Sequence, residues 1–104
     1  MRIKQGDRVG AVESATDDTV NFFGWGFYEG DEVPDEQAAG FLAEAAREHG
    51  NTNPKILLDS GKVVWGCECW WGSEERVQKM IGDREVVEVD IDEARARAKG
   101  EDEG

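Results

Sequence analysis

Basic residues are scarce in this chain: 12 Lys and Arg stand against 24 Asp and Glu in 104 residues, for a net charge of -12. Nucleic acids and anionic lipids are gripped by clustered Lys and Arg, so direct partners of either kind are not expected. Long apolar runs are missing as well. Nothing approaches the roughly 20 residues of a membrane-spanning helix, and the opening MRIKQGDRVG holds no hydrophobic signal region. A cytoplasmic location without membrane contact is the expectation. Cysteine is rare: Cys67 and Cys69 are the only two, one residue apart, too few and too close for a disulfide framework. With His49 the only further soft ligand, the set falls short of the about four ligands a structural zinc site takes. Reduced thiols packed as small apolar groups are expected, with no metal and no cofactor.

What is present suits one globular domain. Hydrophobic residues make up 38% of the chain and four of them are Trp, which is too apolar for a disordered chain. Arg8–Ala15 reads as a strand, Thr16-Asp17-Asp18 as a polar turn, and Thr19–Glu29 as an aromatic-rich second strand. Asp35 is placed as the N-cap of a helix that repeats Ala38, Phe41, Leu42 and Ala45 and stops at Gly50. Lys55–Asp59 and Lys62–Trp71 flank Ser60-Gly61, a two-residue hairpin loop. Ser73 caps a short helix through Ile81, and a last strand carries Val87, Val89 and Ile91. The expected fold is α+β: a bent antiparallel sheet of about five strands, resembling an SH3-like partial barrel, with an inserted amphipathic helix and a second short one. Residues 1–91 form the domain, and 92–104 are a charged tail, either a frayed helix or disordered.

A Ser60-Gly61 turn sets Leu58 opposite Val63 and Ile56 opposite Trp65. Their side of the hairpin then continues through Cys67, Cys69 and Trp71 as the core side. The other side holds Lys55, Leu57, Val64, Gly66, Glu68 and Trp70, with Lys55 and Glu68 as a diagonal pair. Alternation along the second strand sets Phe22, Gly24, Gly26 and Tyr28 apart from Phe23, Trp25 and Phe27. Two glycines at i and i+2 in a strand call for either close packing or a ligand slot. If the two polar-aromatic sides align, Phe22, Gly24, Gly26, Tyr28, Lys55, Gly66, Glu68 and Trp70 frame one patch. Such a patch suits a flat or cationic group, with Glu68 as acceptor. Cover by a helix is the alternative.

No catalytic constellation stands out. Paired carboxylates are too abundant to be diagnostic, GWGFYEG lacks the Lys-Ser/Thr of a phosphate loop, and DIDE lacks the EF-hand pattern. The segments FFGWGFYEGDEVP and NPKILLDSGKVVWGCECWWG resemble those of a family of small uncharacterised phage and bacterial proteins. That family shares Gly-x-Gly-x-Tyr-x-Gly-Asp and Asp-x-Gly-Lys-Val-Val-Trp-Gly-Cys-Glu-Cys-Trp-Trp-Gly. The resemblance covers about a third of the chain, transfers no catalytic residue, and implies a phage-type accessory role such as interference with a host system.

The expected function is therefore a non-catalytic binding protein for a small planar or nucleotide-like ligand. One alternative is an acidic inhibitor or adaptor that binds a host protein, with a DNA mimic as its extreme form. Another is a structural subunit of a homo-oligomer. The acidity with only five Lys also fits adaptation to high salt. It is unevenly spread. Residues 1–52 hold 11 acids and 4 bases, residues 73–104 hold 11 and 6, and residues 53–72 hold 2 and 2. The acidity is thus a coat around a neutral hairpin that carries three of the four Trp.

Overall fold

A computed structural model describes the backbone of residues 3–103 and the side chains of 3–98. The architecture is α+β, with a six-stranded open sheet that does not close into a barrel. In chain order come β1 (Arg8–Ala15), β2 (Thr19–Glu32), α1 (Phe41–His49), β3 (Asn53–Leu58), β4 (Val63–Trp65), a 3-10 turn (Gly66–Glu68), β5 (Trp70–Ser73), α2 (Glu74–Ile81), β6 (Glu85–Glu88) and α3 (Ile91–Glu103). The sheet order is β4-β3-β2-β1-β5, and β6 joins β2 in parallel while the other pairs are antiparallel.

The 14-residue β2 is the spine. One of its edges is taken by β1. The other is shared: β6 pairs with Thr19–Phe22 and β3 with Gly26–Glu32. Phe23, Gly24 and Trp25 between them have no strand partner on that edge, and this gap creates the main cleft.

Three apolar clusters hold the layers together. Val9, Ala11, Ile56, Leu58, Val64 and Ile91 form one, with Tyr28 and Trp71 stacked at its margin, ring centroids 5.3 Å apart. Val12, Val20 and Phe22 pack with Val77 of α2 in the second. Ala38, Ala43 and Trp65 form the third, under α1. Gly26 lets β2 and β3 approach closely: a Cβ there would lie 2.8 Å from the Leu58 Cα and closer still to the Leu57 carbonyl oxygen.

Several expectations are corrected. The turn between β3 and β4 is a three-residue loop. Gly61 at φ 93° and the Leu58 N–H to Lys62 O bond (2.8 Å) place Asp59, Ser60 and Gly61 in it. The register therefore slips by one. Val63 faces Leu57, Val64 faces Ile56, and Trp65 faces Lys55, so Trp65 leaves the Ile56 side for the α1 cluster. The expected strand Lys62–Trp71 is broken into β4, the 3-10 turn and β5, and β5 pairs with β1.

A bulge alters β2 as well. Ala11 faces Gly24 but Val12 faces Phe22, leaving Phe23 extra. Phe22 consequently packs beside Trp25, and Phe23 joins the Tyr28 cluster, the reverse of simple alternation.

Asp35 does not cap α1. Its carboxylate accepts from the Gln37 N–H in a local turn (3.0 Å), and Gly40 at φ 102° starts the helix. Arg47 reaches back to the carbonyls of Asp35 (2.7 Å) and Ala38 (2.8 Å), fixing the segment as a loop. The last apolar run divides: β6 ends at Glu88, and Ile91, 3% exposed, opens α3. The expected tail is helical through Glu103, while Gly104 lies outside the described residues. The Ser73 cap of α2 (Arg76 N–H to Ser73 Oγ, 3.2 Å) and the left-handed Gly50 ending α1 stand as read.

Candidate binding site

The eight residues expected to share a patch are dispersed. Phe22 is buried beneath α2, and Gly26 is buried against β3. Tyr28 stacks on Trp71 and donates its hydroxyl to Asp31. That bond and partial burial push the phenol up to about 12. Lys55 lies 6.0 Å from the Trp65 ring centroid and pairs with Glu32 at 3.5 Å, not with Glu68. Gly66 packs on Pro54. Trp70 is exposed on β5, an edge strand opposite β4 in the sheet order. Of the eight, only Phe22 and Gly24 border a cleft of about 710 Å³.

Glu68 is the most tightly engaged of the eight. Its side chain is 4% exposed, and its two oxygens accept four hydrogen bonds. Arg95 supplies two from α3 through Nε and Nη2, both at 2.8 Å. The Ala39 and Trp65 backbone N–H groups supply the others, each at 3.1 Å. Arg95 spends a further N–H on the Val63 carbonyl (2.9 Å). Glu68 thus joins α3, the loop before α1 and the end of β4. A carboxylate with these partners is a structural clasp, with no acceptor capacity aimed at a ligand.

The thiols flank this clasp. Burial, and next the Glu68 charge, raise both above the ordinary value, Cys69 to about 12. They remain free, and no group of three or more His, Cys, Asp or Glu among the described residues is arranged for a metal ion.

The cleft, of about 710 Å³, lies between the β2 gap, the β3–β4 turn and the β6–α3 connection. Phe22, Phe23, Trp25 and Leu58 line it with apolar surface, and Gly24 leaves the β2 backbone bare there. Phe22 and Trp25 meet edge to face, centroids 5.0 Å apart. Four carboxylates border it: Asp59, Glu88, Asp90 and Glu93. Two are engaged. Asp59 accepts from the two terminal nitrogens of the Arg8 guanidinium (2.6 and 2.5 Å), and Lys62 bridges Asp90 (2.5 Å) and Asp92 (3.0 Å). Those hydrogen bonds from Arg8 and Lys62 hold Asp59 and Asp90 below the usual carboxylate range. Glu88 and Glu93 enter no ion pair among the described residues.

The sequence reading missed Phe23, Trp25 and the β6–α3 carboxylates as neighbours, because a parallel strand from residue 85 onward brings them together. No helix among the described residues is long and apolar enough to cross a membrane. No known protein family, curated protein or solved structure matches the chain.

Proposed function

We propose that the protein is a non-catalytic binding domain that holds a small planar cation in the cleft beside Phe23–Trp25. The observation that carries this reading is the gap in the β2 edge. It opens a cleft of about 710 Å³ with an aromatic wall, a bare glycine backbone and, at its border, two carboxylates that enter no ion pair among the described residues. Flat rings gain dispersion and stacking on Phe and Trp, and a delocalised positive charge is favoured by Glu88 and Glu93. The same border disfavours the phosphates of a nucleotide, since the one Lys on it, Lys62, is already held by Asp90 and Asp92. A phage-type accessory protein working in a reducing host cytoplasm accords with the free thiols and with the resemblance of the Gly24–Pro34 and Asn53–Gly72 segments.

Proflavine, a flat organic cation, is a direct probe. It should quench tryptophan emission saturably, with most of the change lost in Trp25→Phe and the affinity reduced in Glu88→Gln/Glu93→Gln. ATP should leave the emission unchanged. Undiminished quenching in Trp25→Phe, or ATP binding as tight as proflavine binding, would overturn the reading.

A further inference from the structure

The first turn of α1 is built against expectation. The helix buries only small side chains, Ala43 at 0% and Ala46 at 5% exposure, and these let it sit close on Trp65. Its two large apolar residues point away: Phe41 is 79% exposed and Leu42 62%. Exposed large apolar residues at adjacent helical positions lose free energy to water unless something covers them. Beside them runs a groove of about 370 Å³, bordered by Leu42, Ala45, Pro54, Gly66, Cys67 and Trp71.

The exposed charge beside Phe41 is mostly negative. Phe41, Glu44, Ala45 and Glu48 recur at i, i+3, i+4 and i+7, so the two carboxylates share the Phe41 side of the helix, and Leu42 lies on the groove side. Glu36, Glu44 and Glu48 are exposed, and none enters an ion pair among the described residues. Arg47, the nearby guanidinium, is committed to the Asp35 and Ala38 carbonyls.

We propose that the Phe41/Leu42 face of α1 docks a basic amphipathic segment of a partner protein. An apolar side chain of that segment enters the groove, and its Lys or Arg residues meet Glu44 and Glu48. Charge complementarity selects this occupant over a second copy. In a two-fold pair the same carboxylates would face each other across the contact, whereas a basic helix relieves them. The surface is separate from the Phe23–Trp25 cleft and shares no lining residue with it.

The test uses a fluorescein-labelled synthetic Leu/Lys amphipathic helix and the full chain, followed by fluorescence anisotropy across a salt series. Truncating both anchors in Phe41→Ser/Leu42→Ser should weaken binding by about tenfold or more, as for apolar anchors at a contact centre. Glu44→Gln/Glu48→Gln should weaken it by about three- to tenfold and flatten its salt dependence. The control Val87→Ser, which removes exposed apolar surface elsewhere, should bind as the parent does. Unaltered affinity in Phe41→Ser/Leu42→Ser overturns the proposal, as does an equal loss in the control. So does light scattering that finds a dimer converted to monomer by Phe41→Ser/Leu42→Ser, since the face would then be covered by a second copy.

Discussion

The Glu68 clasp and the β2 cleft both border the start of α3, and both combine aromatic residues with carboxylates. They differ in how completely the polar groups are partnered. At the clasp the two Glu68 oxygens accept four hydrogen bonds from three segments of the chain. At the cleft Glu88 and Glu93 have no cationic partner among the described residues, beside a stretch of β2 edge without a strand partner. A carboxylate among aromatics therefore says little about binding until its partners are known. A satisfied one holds the fold, and an unsatisfied one at an open edge has capacity left for a ligand.

The sharpest way to break this contrast is Glu68→Leu. It strips Arg95, 8% exposed, of its close buried carboxylate, leaving only Asp92 at 3.8 Å, and orphans the Ala39 and Trp65 N–H groups. A loss of about 3–5 kcal/mol in denaturant unfolding is expected, large for a domain of this size. Glu68→Leu/Arg95→Met should recover part of that loss, because removing both charges removes the desolvation cost as well. A double variant no more stable than the single would mean that the backbone N–H bonds, not the ion pair, hold the site.

Gly26→Ala comes next in size. Its Cβ meets backbone atoms of Leu57 and Leu58, which cannot rotate away, so β2 and β3 must separate. A destabilisation of about 1–3 kcal/mol is expected from such overpacking. Gly61 sits at φ 93° with open space around it, so Gly61→Ala meets a conformational strain alone. Equal effects at the two positions would show that the Gly26 contact is soft.

A third effect is confined to alkaline solution. In the fold, the Cys69 thiol and the Tyr28 hydroxyl keep their protons up to about 12. Their unfolded counterparts ionise near ~8.5 and ~10. Above ~8.5 the unfolded state therefore binds fewer protons than the folded one, so stability is full below that pH and falls as pH rises toward 12. Thermal unfolding between pH 8 and 11 should show the decline, and Cys69→Ala should delay its onset. An onset unchanged in Cys69→Ala would assign the decline to other groups.

Local signals account for what was legible in the sequence. The β1–β2 hairpin, the Ser73 cap and the Gly50 stop each rest on residues within a few positions of one another, and each stands in the structure. The α+β class followed from them. The site did not. Ser60-Gly61 looks like a two-residue loop, yet the left-handed residue is Gly61 alone and the loop takes in Asp59, which slips every pair from Leu57 to Trp65. The strand-like alternation of residues 62–71 gives way because Glu68 is held from 27 residues away by Arg95. Phe22 and Phe23 exchange sides through one bulge. Each miss lies where a distant partner, or one extra residue in the ladder, decides which way a side chain faces.

The smallest effect completes the comparison at the open end. Glu93 borders the cleft near the start of α3, two residues before Arg95 in sequence, and is exposed with no ion pair among the described residues. Neutralising it in Glu93→Gln removes no partner and leaves no group stranded, so unfolding free energy should move by less than about 0.5 kcal/mol. Relief of repulsion from the neighbouring Asp92 and Asp90 even favours a slight gain at low salt. The same change lowers the negative charge at the cleft border, so proflavine binding should weaken while stability holds. At Glu68 the opposite split applies: stability falls, and the cleft, which Glu68 does not line, loses affinity only as far as the fold loosens. If Glu93→Gln costs as much stability as Glu68→Leu, the distinction between a closed clasp and an open border does not hold.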